Sequence, residues 1–429
     1  MSVKNKIYNT FINQFPLGEW NPVIDGIPTP ELYYKTYVFK QLAKIQASDA
    51  QGGDYFGQSV AVSDTRIVVG ARAEDTTASN AGSAYIFDIN GNQIAKIQAS
   101  DAETSDYFGT SVAVSDTRIV VGAPFKDTPN RDAGAAYIFD IDGNQIAKIL
   151  ASDPQAYDYF GWSVAVSDTR IVVGAYLEDT TAVDAGSVYI FDIDGNQLAK
   201  IQASDAQASD RFGYSVAVSD TRIVVGAPYE DTTAGTAGSA YIFDIDGNQL
   251  AKIQASDAEA GDQFGYSVAV SDTRIVVGAY YEDTTANAAG SAYIFDINGN
   301  QLAKIQASDA EAYDEFGYSV AVSDTRIVVG ARFESTTAGD AGSAYIFDIN
   351  GNQLAKKQSS DAEVSDEFGT SVAVSNTRIV VGAYLEDTTA NSAGSAYIFQ
   401  NDLVYKSDYN NNINNINFNK LKYRFTGKL

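Results

Sequence analysis

The sequence predicts an all-β fold, a seven-bladed β-propeller of four-stranded antiparallel blades, on three observations. A 52-residue unit recurs seven times, each unit divides into four short apolar runs separated by turn residues, and the runs balance only if the two ends of the chain meet. Strands that cannot bury both faces alone stack on neighbours, and seven such sheets around an axis close into a propeller.

The repeat is marked by Phe-Gly, with glycines at Gly57, Gly109, Gly161, Gly213, Gly265, Gly317 and Gly369. The first strand of each unit reads FGxSVAVS, and the second reads TRIVVGA. Between them stands a Ser-Asp-Thr corner, short enough only for a tight hairpin. The third strand is SAYIFDI, in which Tyr85 and Phe87 share one face and Ile86 takes the other. The fourth is QLAKIQA, joined to the third by Asn90-Gly91, Asp142-Gly143 and their equivalents, the dipeptides that favour a type I′ turn. Apolar residues at helical spacing are absent from the repeat. A linear β-solenoid is the rival architecture, but its coils are much shorter than this unit.

The phase of the repeat points to ring closure. QLAKIQA first occurs at 41–47, ahead of any first strand, and six more copies begin at Gln93, Gln145, Gln197, Gln249, Gln301 and Gln353. After the seventh third strand, ending at Phe399, the chain continues instead as QNDLVYK. The outer strand of the last blade is therefore delivered from the N-terminus, which ties the ring and removes open edges. Residues 403–406, LVYK, are the alternative source of that strand. This places the propeller at 37–406, an N-terminal extension with docking potential at 1–36, and an Asn-rich, basic tail at 407–429. The extension carries Trp20, and the tail ends with Lys420, Lys422, Arg424 and Lys428.

Composition narrows the function. Acidic residues outnumber basic ones 55 to 29, for a net charge of −26, so no face is expected to cluster the cations that nucleic acid requires. With no cysteine and no histidine, disulfides, thiolate sites and the usual zinc ligands are excluded. No run approaches the roughly 18 apolar residues of a membrane span, and the opening MSVKNKIYNTFINQFPLGEW has no signal-peptide core. Neither membrane insertion nor ordinary secretion is expected. Nearly all carboxylates recur with the repeat, and the non-repeated Glu19 and Asp25 have no visible partners, so the chain reads as a non-enzyme. A propeller hydrolase or lyase is the alternative.

With Phe-Gly and Gly-Ala(-Pro) in place, as in Gly122-Ala123-Pro124 and Gly226-Ala227-Pro228, the repeat resembles the FG-GAP repeat of integrin α-subunit propellers. The near-identical, SDA-rich copies are similar to repeats of marine bacteria and their phages. The resemblance implies a seven-bladed propeller used for adhesion to protein or glycan, often with calcium in hairpin loops. The calcium motif itself does not carry over. The family's site resembles D-x-D-x-D-G-x-x-D between the first two strands, where this chain has only Asp64 and its equivalents, with Asn376 in the last copy. That leaves too few oxygens for a six- to eight-coordinate ion. The remaining metal candidates are Asp140 and Asp142 in a hairpin turn, and Asp101 and Asp106 (with Glu103) ahead of Phe-Gly. The competing readings are a plain turn and a capped or solvated acidic rim.

In an up-and-down blade, the 2–3 and 4–1 loops emerge on one face, and those loops carry the variation between copies. Candidate ligand-contacting residues are Trp162, Tyr214, Tyr266 and Tyr318 just after Phe-Gly, and Tyr176, Tyr229, Tyr280, Tyr281, Phe333 and Tyr384 just after Gly-Ala. Tyr, Trp and Arg are the residue types enriched at binding hot spots. The competing reading is that these aromatics pack between blades near the axis. The opposite face repeats only Ser-Asp-Thr and Asx-Gly turns. The expected function is adhesion or recognition of a protein or glycan, on a cell surface or as a virion or appendage component. A structural decoration protein without ligand is the second reading.

Overall fold

The computed structural model describes residues 23–24, 27–28 and 33–407, with side chains from Phe39 to Asn401. Trp20, Glu19, Asp25 and the basic C-terminal residues lie outside the described residues. The chain forms two compact units, Lys40–Gln400 and the flanking segments Met1–Phe39 with Asn401–Leu429. In the flanking unit, Tyr33–Val38 pairs antiparallel with Asp402–Ser407, and Val23–Ile24 pairs with Ile27–Pro28.

The larger unit is the seven-bladed propeller. Blade 1 comprises strands Phe56–Val62, Arg66–Ala71, Ser83–Asp88 and Gln93–Ile97, hydrogen-bonded in that order. Blades 2 to 6 run Ser111–Ile149, Ser163–Ile201, Ser215–Ile253, Ser267–Ile305 and Phe316–Lys357 with the same order. Blade 7 takes Ser371–Val374, Arg378–Ala383 and Ser395–Gln400 from one end of the chain and Gln41–Ile45 from the other. The N-terminal strand therefore closes the ring. Residues 403–406 do not compete for that place, since they pair with Tyr33–Val38, and the ring spans 40–400 rather than 37–406.

No blade completes its own core. The third strand puts Tyr85 and Phe87 into a cluster shared with Val380 and Ile398 of blade 7, while Ile86 enters a cluster with Phe108 and Tyr137 of blade 2. Period-2 alternation thus feeds two different interfaces, and both are apolar. The seam itself is backbone. Phe108 N–H donates to Ala81 O at 2.9 Å, Tyr107 N–H donates to Asn80 O at 3.1 Å, and Gly82 bridges Phe108 in parallel. Gly109 sits at φ +95°, where an L side chain is strained. A Cβ on Gly174 would lie 2.1 Å from Gly213 O of the next blade. The two landmark dipeptides are the two sides of one joint.

A polar latch reinforces each joint. In the loop entering blade 1, Asp49 accepts Tyr85 Oη at 2.9 Å and Lys96 Nζ at 2.7 Å, and Gln93 bonds Ser48 through both its amide atoms. Lys96 also reaches the buried Glu74, which accepts Ser83 Oγ at 2.7 Å and Thr76 N–H at 2.8 Å. Closure reproduces this arrangement with Lys44 and Gln41 on Asp361 and Ser360. Beyond the opposite end of the strands, Arg66 Nε donates to Ile141 O of blade 2, and Arg378 Nε to Ile89 O across the closure.

Next to the latch lies a second buried carboxylate, Asp54, Asp158, Asp210, Asp262, Asp314 or Asp366, capping its own loop, as Asp314 Oδ2 does by accepting Glu311 N–H. Burial, helped by the neighbouring glutamate, pushes each up to about 6. Burial also works against the latch glutamates, but hydrogen bonds from Thr, Ser and Lys outweigh it and hold them below their ordinary value, Glu334 at about 2. Blade 2 differs: Lys126 replaces the glutamate, and its ammonium lies 3.1 Å from Asp106 and 2.8 Å from Glu103.

Two expectations follow from these contacts. Gly174→Ala should cost roughly 2–4 kcal/mol through the clash with backbone, whereas Gly235→Ala, with open space around it, should stay within about 0.5 kcal/mol. Thermal denaturation compares the two, and equal stabilities would remove the seam from the account. The second concerns pH. An aspartate raised to about 6 contributes stability that is complete below its unfolded value near 4 and lost as pH rises through 6. For each, that corresponds to roughly 3 kcal/mol against the charged form. The glutamates act oppositely and lose their contribution below about 4.5. Tm should therefore peak between about pH 4 and 5 and decline toward neutrality. Asp314→Asn together with Asp262→Asn should flatten that decline, and a Tm rising steadily from pH 5 to 7 would sink this assignment.

Candidate functional site

The first strands of the blades line the axis, and the two ends of that axis differ. At one end the seven corners Ser63-Asp64 to Ser375-Asn376 surround a cavity of about 300 Å³. The other end is aromatic. Trp162, Tyr214, Tyr266 and Tyr318, one from each of blades 3 to 6, follow one another with ring centroids 5.8, 5.0 and 5.0 Å apart. Burial pushes the Tyr266 hydroxyl well above its ordinary value, and the charges of the Tyr318 and Tyr214 hydroxyls, both hydrogen-bonded to it, add to this. The remaining three places around the axis are polar: Gln58, Thr110 and Thr370.

Together with this inner arc, further aromatic rings, guanidinium groups and the Glu367 carboxylate form a circuit through all seven blades. It runs from Tyr384 to Tyr55 at 5.7 Å, across Arg72 to Tyr107, then through Phe125 and Tyr159 to Tyr176. Arg211 bridges Tyr176 and Tyr229, the latter at 4.1 Å. Tyr229, Tyr214, Tyr266, Tyr280 and Tyr318 continue the chain, and Arg332 lies 3.8 Å over Tyr318. Arg332 Nε donates to Glu315 at 2.7 Å and its guanidinium approaches Glu367, which is hydrogen-bonded to Tyr384.

Of the ten aromatics singled out from the sequence, Tyr281 is exposed and Tyr280 is buried. Trp162, Tyr176, Tyr214, Tyr229, Tyr266, Tyr318, Phe333 and Tyr384 are half-buried in the circuit. Packing between blades is thus the main task of most of them. Burial pushes Tyr176 and Tyr384 up to about 12. The residues that do reach solvent are different ones: Tyr157, Val183, Tyr313 and Val364 join Tyr281 on the loops of this face. Three buried polar atoms on the same face, Gln58 Oε1, Arg72 Nε and Arg211 Nε, have no hydrogen-bond partner.

Sequence reasoning also missed Glu315 and Glu367, which do break the sevenfold repetition. The residue before Phe-Gly reads Tyr55, Tyr107, Tyr159, Arg211, Gln263, Glu315 and Glu367 in the successive copies, so comparison at that one position reveals them. Both are buried, and burial, opposed by Arg332, raises their carboxyls above the ordinary value.

The four metal candidates are not brought together. Asp101 is the latch carboxylate of blade 2, accepting Tyr137 Oη and Lys148 Nζ, each at 2.7 Å. Asp106 accepts Glu103 N–H and faces Lys126. Asp140 caps its hairpin by accepting Asn144 N–H at 2.8 Å and Asp142 N–H at 3.0 Å, while Asp142 meets Arg66 at 3.4 Å. Among the described residues, no group of three or more carboxylates is placed to hold a metal ion. A calcium site of the kind the resemblance implies does not fit these four residues.

In comparisons with known proteins, the FG-GAP repeat matches the chain seven times, over residues 39–87, 92–139, 144–191, 196–243, 248–295, 300–347 and 352–399. Among curated proteins, none matches the chain. Each matched segment joins the outer strand of one blade to the first three strands of the next, so the repeat unit straddles the latch. The matches cover most of the sequence, and the chain belongs to the FG-GAP repeat family.

Proposed function

We propose that the protein is a non-enzymatic binding module that recognises its partner through the Tyr-rich face and is displayed on a cell surface or built into a virion or appendage. Membership in a family whose repeats typically mediate binding supports the first part. One observation carries the choice of face. Among the described residues, eleven large hydrophobic side chains are exposed; six lie on outer strands, and the other five, Tyr157, Val183, Tyr281, Tyr313 and Val364, all lie on the 2–3 and 4–1 loops. The face of Ser-Asp-Thr corners has none. Exposed apolar groups on loops of a rigid scaffold mark interaction sites. Among the described residues most cations are held by carboxylates or backbone carbonyls, which argues against an anionic polymer as partner of this face. Glu315 and Glu367 are buried beside Arg332, a pairing that suits packing of the face.

The test separates recognition from packing. Tyr281→Ala with Tyr313→Ala should lower capture of the native partner by about tenfold while Tm stays put. Trp162→Ala, by contrast, should cost roughly 3 kcal/mol, because its ring packs against Tyr176 and Tyr214. Mass spectrometry of purified particles and of cell envelope supplies the location in which to seek that partner. Capture unchanged in the double variant would overturn the choice of face.

A further inference from the structure

We propose that Asn90, Asn298 and Asn350 are modification sites, where the nitrogen of the following glycine displaces ammonia from the side chain, and that the arginine of the preceding blade takes up the carboxylate so formed. The sites lie on the outer hairpins, at the opposite end from the tyrosines, and do not depend on the partner.

Packing fixes the reactive dipeptide. Gly91 lies at φ +92°, and a Cβ there would stand 2.9 Å from Ile45 Cγ2 of the preceding blade. Ile253 and Ile305 impose the same limit on Gly299 and Gly351. Only glycine is admitted, so the nitrogen after each Asx residue is unhindered by a side chain. The Asx position is under no such limit and reads Asn90, Asp142, Asp194, Asp246, Asn298 and Asn350 in blades 1 to 6. The three asparagines are exposed, and only their backbone N–H groups are held, by Asp88, Asp296 and Asp348. The asparagine two places on differs in both respects. Asn92 Nδ2 donates to Asp88 Oδ2 at 2.7 Å, Asn300 and Asn352 repeat the bond, and each is followed by glutamine, whose side chain hinders attack.

The reaction consumes only water. Gly91 N attacks Asn90 Cγ; the N–Cγ bond forms, the Cγ–Nδ2 bond breaks, and ammonia leaves with the proton that Gly91 N–H gives up. The Asp88 carboxylate, kept ionised by donors from Asn92, Asn90 and Gly91, stands beside that nitrogen to relay the proton. Water then opens the cyclic imide. Addition at Cγ restores the main chain with aspartate at 90, whereas addition at the backbone carbonyl leaves isoaspartate and a main chain longer by a methylene. Gly91 N–H must first leave Asp88 O, 3.0 Å away, so the step waits on local opening of the hairpin.

The fold already holds the product. Where the chain encodes aspartate, Arg66 meets Asp142 at 3.4 Å, Arg118 meets Asp194 at 3.3 Å and Arg170 meets Asp246 at 3.5 Å, each across a seam. The equivalent arginines facing asparagine are Arg378, Arg222 and Arg274. Each donates through Nε to the carbonyl just ahead of the asparagine, of Ile89, Ile297 or Ile349, yet among the described residues none forms an ion pair. Aspartate fits there without rearrangement and gains the arginine. Isoaspartate would instead strain the 2.9 Å bond from Asp88 N–H to Asn92 O that closes the hairpin.

The full chain is incubated in mildly alkaline buffer, folded or in urea, then digested and sequenced by mass spectrometry, with isoaspartate scored by an isoaspartyl methyltransferase. Asn90, Asn298 and Asn350 should turn acidic while Asn92, Asn300 and Asn352 do not, each event shifting the chain toward the acid end on isoelectric focusing. Aspartate should dominate in the folded chain and isoaspartate in urea. Arg222→Gln should move the ratio at 298 about twofold toward isoaspartate, the worth of an exposed pair, and leave 90 and 350 as they were. N90D/N298D/N350D should keep the native Tm. Acid at 92, 300 and 352 formed as fast, or none at 90, 298 and 350 under conditions that convert a free Asp-Ile-Asn-Gly-Asn-Gln peptide, would overturn the sites. Isoaspartate dominating in the folded chain, or a ratio indifferent to Arg222→Gln, would overturn the part given to the arginines.

Discussion

The close approach of Phe-Gly in one blade to the Gly-Ala and Ala-Gly segments of the preceding one is the constraint on which the rest of the structure depends. Backbone meets backbone there, leaving no room for a Cβ at Gly70, Gly122, Gly174 and their equivalents. Because the blades come that close, each third strand can bury its two faces in two different interfaces, and hydrophobic area is shared between neighbours rather than owned by one sheet. A blade removed from its neighbours would expose both. The closure has the same joint, with Gly394 bridging Phe56, and the same latch, built from Lys44 and Asp361. Closing the ring is therefore a condition for every core, not an addition to it.

That constraint explains what the sequence made legible. Landmarks at a fixed period read directly because the joint tolerates no substitution, and the Asx-Gly turns read because type I′ geometry demands them. The N-terminal outer strand was legible from the count of QLAKIQA alone. The competing LVYK run could not be placed by pattern, since Asp402–Ser407 is as strand-like as its rival Gln41–Ile45 and only its pairing with Tyr33–Val38 decides the matter. The acidic run Ser-Asp-Ala was open between capping and calcium. Its role as a latch needs the knowledge that Asp49 lands beside Tyr85 and Lys96, residues 36 and 47 positions away.

The candidate site was legible as a face and not as residues. Variation between copies marks where the joint imposes nothing, and the aromatic and charged variation lies mainly on the loops of one end. Aromatic identity alone does not tell a ring that fills a gap from one that waits for a partner. Trp162 and Tyr214 face the axis, where rings of consecutive blades meet and bury one another; Tyr313 stands in a loop, held by Asn287 at its hydroxyl and its backbone N–H. Tyr157 and Tyr313 were visible as departures from the repeat, but their exposure depends on loop geometry that the sequence does not encode locally. Glu315 and Glu367 needed only a comparison of copies at the residue before Phe-Gly.

The net charge of −26 takes on a different meaning in this light. Solubility is the simplest account of such a value, yet most of the repeated carboxylates have structural tasks. The Asp49 class holds the latch, the Glu74 class anchors it from inside, the Asp88 class caps the outer hairpin, and the Asp54 class caps the loop ahead of Phe-Gly. Multiplied around the ring, these classes take up nearly half of the acidic residues without reference to any partner. The remainder includes the Ser-Asp corners at one end of the axis and further loop carboxylates at the other. The first set varies only at Asn376, whereas the second varies from blade to blade and is answered in blade 2 by Lys126 and Arg131 and in blade 6 by Arg332. The charge that informs about function is the charge that differs between copies, and it lies on the face that bears the exposed tyrosines.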